Sequence, residues 1–253
     1  MNHIVAVINQ KGGVGKTTTT INLAAYLARS GRSVLVVDAD PQGNSTSGLG
    51  LDKRNLDSTL YDVLFNRAEV SNSIRPTNTD GIFIIPSNAN LAAAEIELAA
   101  EVGRELKLRQ ILSNLEYDYI LIDCPPSLGL LSINGLAAAS DALVPVQTEY
   151  YAMEGLSLLI DTINKIKQAI NPGLNLLGIV LTMYDSRTSL AEQVEAEVKK
   201  HFSGKVFNTV IPRNVRLAEA PSFGRTIIEH DKWSKGARAY KALAKELEKR
   251  LNG

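Results

Sequence analysis

Cysteine is nearly absent from this sequence of 253 residues, which contains Cys124 alone. One thiol cannot form an intramolecular disulfide, and it excludes a zinc site or an iron–sulfur cluster built from several cysteines. We therefore expect a reducing compartment, in which Cys124 is a small buried residue.

Long apolar runs are missing as well, and so is an excess of charge of either sign. No stretch approaches the roughly 20 apolar residues of a membrane span, and the N-terminus has no signal-peptide pattern, so we expect a soluble, cytoplasmic protein. Lys and Arg number 27, and Asp and Glu also number 27. This balance argues at first sight against nucleic acid as a partner. The 45% hydrophobic fraction is that of an ordinary globular protein.

Short β-branched runs alternate along the chain with longer helical patterns. Continuous apolar runs favour strands buried on both faces, and their alternation with helices predicts an α/β fold with one doubly wound, mostly parallel sheet. We expect a single P-loop domain over residues 1–253. Strands are predicted at residues 4–8, 33–38, 82–85, 119–122, 142–146, 176–181 and 206–211, and helices at 16–30, 91–115, 153–170, 188–201 and 235–251.

The most specific signal is a glycine-rich segment, residues 10–18, between the first predicted strand and the first predicted helix. It fits a P-loop, in which glycines let consecutive backbone N–H groups point at phosphate oxygens and the helix dipole adds to the attraction. In this pattern Lys16 reaches the β- and γ-phosphates, and the Thr17 hydroxyl ligates Mg²⁺. The predicted nucleotide-binding residues of the loop are Lys11, Gly12, Gly13, Val14, Gly15, Lys16, Thr17 and Thr18.

A second lysine, Lys11, stands at the start of this loop. The loop wraps its phosphates with its own backbone and Lys16, so Lys11 can point away from its own nucleotide. It then meets the nucleotide of a facing subunit as a charge supplied in trans, or it is a solvated surface lysine.

Acidic residues follow two of the predicted strands. Asp38 and Asp40 lie where strand 33–38 ends, and Asp123 follows strand 119–122. An acid at the end of an apolar strand near a P-loop holds Mg²⁺, and Asp123 is predicted for that role. Asp40 is predicted to orient the attacking water near the metal, while Asp38 supports either Mg²⁺ or the lysine geometry. Because an ordinary Asp, with a pKa of about 3.9, is a weak base, we expect slow hydrolysis. The alternative is that these acids only form turns.

Together these segments identify a family. Residues 11–17 form the deviant Walker A motif with its signature lysine, and with residues 38–44 and 123–127 they resemble the ParA/MinD ATPases. Residues 145–156 and 209–222 are similar to the chromosomal ParA (Soj) branch, so the resemblance covers essentially the whole chain. It implies ATP and Mg²⁺ as cofactors, and an ATP-dependent homodimer that binds double-stranded DNA non-specifically, on the nucleoid. A ParB-type centromere-binding partner would stimulate hydrolysis and release the dimer, in chromosome or plasmid segregation.

The resemblance also implies residue roles by position. Lys11 becomes the lysine that reaches across the dimer interface, Asp40 the acid that positions water, and Asp123 the Walker B acid. Glu149 lies where the family has an acid near the dimer face. The implied catalytic residues are Lys11, Lys16, Asp40 and Asp123, and the implied metal-site residues are Thr17, Asp40 and Asp123.

Two alternatives remain. MinD-like relatives bind membranes through a C-terminal amphipathic helix, so a membrane-surface positioning ATPase is the main one. The C-terminus here is amphipathic, but it has no Phe or Trp and carries Glu246 and Glu248, so it is expected to dock on the protein's own core rather than on a membrane. A small-molecule kinase or synthetase is the other alternative, without an apparent acceptor-site motif.

The balanced net charge conceals an asymmetry. Residues 187–253 carry 14 Lys and Arg against 8 Asp and Glu, and residues 1–186 carry the matching deficit. The surplus is a solvated face or, given the resemblance, a DNA-binding surface that contacts phosphates. In similar proteins the segment containing Pro212 and Asn214 holds the adenine base. The predicted DNA-binding residues are Arg187, Arg216, Lys232, Lys235, Lys249 and Arg250.

Overall fold

A seven-stranded sheet organises the fold, in a computed structural model that describes residues 3–150 and 152–252. Its strands, in chain order, are β1 (His3–Val7), β2 (Val34–Asp38), β3 (Arg75–Pro76), β4 (Ile82–Ile85), β5 (Tyr119–Asp123), β6 (Asp141–Gln147) and β7 (Asn175–Thr182). The spatial order is β3-β4-β2-β5-β1-β6-β7, and all neighbouring pairs are parallel except β3 with β4. The predicted α/β class with a mostly parallel sheet is therefore confirmed.

The strand register brings the carboxyl ends of three central strands together. Asp123 at the end of β5 is level with Val7 of β1 on one side and with Asp38 of β2 on the other. Ligands of open parallel sheets bind at this edge, so the topology alone directs attention to the loops after β1, β2 and β5.

Helices cover both faces of the sheet. Alternate residues of β1 face opposite sides, so that Ala6 joins one apolar core while Val5 and Val7 join the other. The helices are α1 (Lys16–Arg29), α2 (Asn44–Gly48), α3 (Leu60–Leu64), α4 (Val70–Ser73), α5 (Ala94–Glu97), α6 (Lys107–Leu112), α7 (Leu130–Ala138), α8 (Ala152–Ala169), α9 (Ser189–His201), α10 (Val215–Glu219), α11 (Ile227–Asp231) and α12 (Lys235–Asn252).

The strand predicted at residues 206–211 is wrong. This segment runs beside β7 but makes one isolated bridge with it, between Val206 and Ile179. The reason lies in α12, where the Glu246 carboxylate accepts hydrogen bonds from the backbone N–H groups of Asn208 and Thr209 at 2.8 and 2.9 Å. Phe207 N–H donates to β7, so by alternation the next donor toward β7 would be the Thr209 N–H, which is bound to the side chain instead.

The long helix predicted at residues 91–115 is also wrong. The structure has α5 and α6 with short 3₁₀ turns around them. Gly103 interrupts the pattern with φ of 68°, a left-handed conformation that stops a helix. Helix α7 was not predicted, because its nine residues are almost uniformly apolar and show no helical periodicity.

The apolar face of α12 is buried within the molecule. Tyr240, Leu243 and Leu247 belong to the same core as α1, as expected for a helix that docks on its own domain. None of the helices in the described part of the chain combines the length and the hydrophobicity that a membrane-spanning helix requires.

Candidate functional site

The glycine-rich loop between β1 and α1 borders open space. A Cβ added at Gly12 or Gly13 would meet no atom within 4 Å. Gly13 and Gly15 have φ of 76° and 90°, which glycine adopts without strain. Gly15 caps α1 without a side-chain acceptor, so the amides of the first turn are available to an anion. The geometry is that of a phosphate cradle.

Lys16 is folded into this cradle. Its ammonium group donates to the carbonyl of Lys11 at 3.1 Å, and its side chain is largely buried. Burial lowers the pKa of Lys16, while the charges of Asp123 and Asp40 oppose that shift. The Lys16 ammonium group is thus held against the backbone of the loop that forms the cradle.

Asp123 is fully buried at the end of β5, and only one of its two carboxylate oxygens has hydrogen-bond partners. Its Oδ2 atom accepts hydrogen bonds from the hydroxyls of Thr17 and Ser45, both at 2.7 Å. Its Oδ1 atom is buried and has no hydrogen-bond partner. A buried carboxylate oxygen without a partner is unfavourable unless something else supplies positive charge, so the site fits a cation beside Thr17.

Mg²⁺ is suited to such a partial site. Within the described ranges no group of three or more His, Cys, Asp or Glu side chains could hold a metal ion. Mg²⁺ does not require such a cage, because it keeps several waters and takes phosphate oxygens as ligands. Thr17 and Asp123, with Asp40 nearby, therefore fit such an ion. Ser45 of α2, which donates to Asp123, was missed in the sequence because nothing distinguishes it there from other serines.

Asp38 ends β2, the strand next to that of Asp123, and Asp40 follows two residues later. Burial raises the pKa of Asp38 to about 7, and the charge of Asp123 adds to the shift. Burial also raises the pKa of Asp123 to about 6, and the charge of Asp40 contributes. Asp40 lies beyond the end of β2, with Oδ1 accepting from the Gln42 N–H at 2.9 Å. Two further carboxylates thus accompany the predicted metal-site acid.

A cavity of about 330 Å³ opens beside the phosphate cradle. It is bounded on one side by Gly15 and Thr18, and on the other by Pro212 and Asn214, the two residues predicted to hold a base. Tyr240 of α12 forms part of the lining. The structure therefore brings the predicted base segment next to the loop, and adds an aromatic ring that the sequence analysis did not assign.

Lys11 points away from the cradle. Its side chain is about half exposed and forms an ion pair with Glu149, the residue that follows β6 by two positions. Thr17 and Lys16 lie inward, so the two lysines of the loop face different surroundings.

The predicted DNA-binding arginines are all engaged within the chain. Arg187 donates two hydrogen bonds to Asp185, at 2.9 and 2.7 Å, and Arg216 pairs with Glu219 at 2.9 Å. Arg250 donates to three backbone carbonyls and to Glu246, and it stacks on a phenylalanine ring. Its guanidinium is thus used to attach α12 to the segment beside β7.

The predicted lysines are in a different state. Lys232, Lys235 and Lys249 are exposed, and within the described ranges no ion pair engages them. The ammonium group of Lys232 lies 5.3 Å from the ring centre of Trp233, whose side chain is 78% exposed.

A groove of about 500 Å³ lies between the end of α1 and α12. We call it the basic groove; it is lined by Lys232 and Trp233 together with Arg29, Lys241 and Lys245, which the sequence analysis missed. The signal was present: Lys241, Lys245 and Lys249 repeat every four residues and so share one face of α12.

Comparison with known proteins agrees with this geometry. A family model described as an AAA domain matches residues 2–176. The sporulation initiation inhibitor protein Soj of Bacillus subtilis is 52% identical over 98% of both chains, and the chromosome partitioning protein ParA of Myxococcus xanthus is 52% identical over 99% of this chain and 89% of its own. Among solved structures, cobyrinic acid a,c-diamide synthase from Mycobacterium smegmatis, with bound ATP analogue and magnesium, superimposes with a TM-score of 0.88 at 39% identity, covering 100% of this chain and 97% of that one.

The fold, the glycine-rich cradle and the acids at the strand ends define a P-loop nucleotide-binding protein. Over nearly its full length the chain belongs to the ParA/MinD family of ATPases, whose chromosome-partitioning members are among its relatives. The resemblance inferred from the sequence motifs is therefore confirmed.

Proposed function

We propose that the protein is an ATP-dependent DNA-partitioning ATPase that hydrolyses ATP to ADP and phosphate. The observation that carries the proposal is that three features lie at one site. They are a P-loop, a buried Asp123 with one carboxylate oxygen that has no hydrogen-bond partner, and a loop lysine that points away from its own cradle. The identity with chromosome-partitioning proteins supports the biological role.

In the proposed reaction the backbone of residues 12–18 and Lys16 bind the phosphates, and the cavity beside Pro212 and Asn214 takes the base. Mg²⁺, held through Thr17 and Asp123, would neutralise phosphate charge. Asp40 orients the attacking water, and its carboxylate is fixed for this by the Gln42 N–H. The structure of one relative with a bound ATP analogue and magnesium supports this assignment of ligand.

Lys11 acts in trans in this proposal. Its pairing with Glu149 keeps the ammonium group outside its own cradle. When two nucleotide-bound subunits face each other, Lys11 exchanges this carboxylate for the phosphates of the opposite subunit. The homodimer would then depend on ATP.

The DNA surface of the proposed dimer is the basic C-terminal third, residues 187–253, extended by the basic groove. The lysines of α12 are about 6 Å apart along the helix, since each residue rises 1.5 Å. Each DNA strand carries one charge per about 3.4 Å of duplex axis, so successive lysines of a helix aligned with that axis would meet about every second phosphate. Arg187 and Arg216 join this surface by exchanging their carboxylate partners for phosphates. Arg250 contributes little, because its guanidinium is bound within the chain.

The proposal includes its regulation and location. Dimerisation doubles the number of phosphate contacts, so the ATP-bound form would hold the nucleoid while the monomer stays in the cytoplasm. A ParB-type centromere-binding protein would stimulate hydrolysis and thereby release the dimer.

The test measures subunit association and duplex-DNA binding in four states: no nucleotide, ADP, ATP and a slowly hydrolysed ATP analogue. We expect a dimer that binds DNA only with ATP or the analogue. Lys11→Ala should remove both, whereas Lys165→Ala, an exposed lysine of α8, should change neither. Equal DNA binding in all four states would contradict the proposal.

Experiments on the same purified protein distinguish two other functions from the proposed one. A membrane-surface positioning ATPase would sediment with liposomes in ATP, but it would need an apolar face, and that of α12 is buried. A small-molecule synthetase is suggested by the name of one structural relative, and it would require ATP turnover that depends on an acceptor.

A further inference from the structure

Four buried polar residues form a closed ring of hydrogen bonds beside the candidate site. The backbone N–H of Asp40 donates to Asp38 Oδ1 at 3.3 Å, and the Thr46 hydroxyl donates to Asp38 Oδ2 at 2.7 Å. The Ser87 N–H donates to the Thr46 hydroxyl oxygen at 2.9 Å, and the Ser87 hydroxyl donates to the Asp40 carbonyl at 2.8 Å. The ring thus returns to the residue at which it began.

The ring joins three separate segments. Asp38 ends β2 and Asp40 follows it, Thr46 lies in α2, and Ser87 follows β4, the parallel neighbour of β2. A Cβ added at Gly43 would lie 2.7 Å from the Ser87 carbonyl oxygen, so glycine is needed for this approach. The loop that carries Asp40 is therefore fastened to the end of the adjacent strand.

The direction of each hydrogen bond in the ring is fixed. The Ser87 hydroxyl donates its only proton to the Asp40 carbonyl. The Thr46 hydroxyl donates its proton to Asp38 and accepts a hydrogen bond from the Ser87 N–H. Asp38, Thr46 and Ser87 are fully buried, so a broken bond could not be replaced by bulk water. Both backbone polar groups of Asp40 are thereby fixed.

We infer that Ser87 and Thr46 are positioning residues for Asp40, which they hold at the distance and angle that water attack on ATP requires. The inference rests on the proposed ATP hydrolysis. Neither residue needs to touch the nucleotide, because each acts through the Asp40 backbone. Rates depend steeply on such placement, since a misplacement of about 1 Å can lower kcat about 100-fold.

The test compares Ser87→Ala and Thr46→Val with Thr46→Ser, which keeps the hydroxyl, and with Ser73→Ala. Ser73 is a matched control, because it is also a fully buried serine with a donating hydroxyl, but it lies in α4. We expect Ser87→Ala and Thr46→Val to lower kcat about tenfold or more while KM for ATP stays within about twofold. Thr46→Ser should keep kcat within about twofold of the wild type, and all variants should melt close to Ser73→Ala.

A double variant separates positioning from general damage. If Ser87 acts through Asp40, Ser87→Ala should cause no further loss of residual turnover in an Asp40→Ala background. Equal losses in both backgrounds, or a kcat for Ser87→Ala equal to that of Ser73→Ala, would overturn the inference. If Ser87→Ala does not fold, equal kcat values for Thr46→Val and Thr46→Ser would do the same. A wild-type protein without ATP turnover would instead overturn the proposed function itself.

Discussion

Replacing Lys241 and Lys245 by alanine should weaken DNA binding in a manner that depends strongly on salt. Both side chains are exposed on α12, line the basic groove and have no ion-pair partner among the described residues. Neither residue is part of an apolar core, so folding should be unaffected.

The size of the effect follows from counting contacts. Each lysine that meets a phosphate contributes about 0.9 to the slope of log K against log salt concentration. Two lysines in each of two subunits make four contacts, so the double variant should have a slope about 3.6 smaller than the wild type. Over a fourfold rise in salt, the wild-type affinity should therefore fall about 150-fold more than that of the variant.

The assay is fluorescence anisotropy of a labelled duplex, titrated in a slowly hydrolysed ATP analogue at several salt concentrations between about 50 and 200 mM. Lys165→Ala, on the helix layer across the sheet, serves as the control for lost positive charge. An unchanged slope for the double variant would refute the placement of phosphates in the basic groove. An equal change per lost charge, so that the control shows half the change of the double variant, would show a nonspecific charge effect and would refute it as well.

Three further outcomes are expected. Arg250→Ala should lower the free energy of unfolding by about 2–3 kcal/mol in a denaturant titration, because several hydrogen bonds to carbonyls are lost, while Lys249→Ala should change it by less than about 0.5 kcal/mol. The raised pKa values of Asp38 and Asp123, about 7 and 6, mean that the folded chain binds protons that the unfolded chain has released above about pH 4. Thermal stability without nucleotide should therefore fall as pH rises from about 4 to 7, and Asp38→Asn should flatten that dependence; a rise in stability would contradict it. Asp40→Ala should reduce phosphate release to a small residual rate yet retain the ATP-dependent dimer on DNA, whereas unchanged turnover would remove Asp40 from the mechanism.

The fold could be predicted from the sequence where local pattern and tertiary context agree. Buried parallel strands such as β2 and β5 are continuous apolar runs, and each ends at the predicted acid. The segment at residues 206–211 has the same composition, yet a carboxylate of α12 takes its backbone donors. Such a competitor, 37 or 38 positions away in the chain, has no local signature.

Some residues of the candidate site could likewise be predicted from the sequence, and others could not. Motif spacing placed Lys16, Thr17 and Asp123 together, because a P-loop and the ends of neighbouring parallel strands must meet at one edge of the sheet. The partners Thr46 in α2 and Ser87 after β4 could not be predicted, because ordinary hydroxyls gain a role only when the strand order brings β4 beside β2. Their signal is topological and not local.

The sequence gives the number of positive charges but does not show which of them are paired in the fold. The surplus of positive charge in residues 187–253 is real, but a count cannot tell which cations are already paired. Arg187 and Arg216 are held by carboxylates of the same chain, so phosphate contact there is an exchange of one anion for another and yields little net energy. Lys241 and Lys245 have no such partner, and their contact with phosphate releases counterions without breaking an ion pair. The basic groove should therefore contribute more to DNA affinity than the arginines that the sequence made most conspicuous.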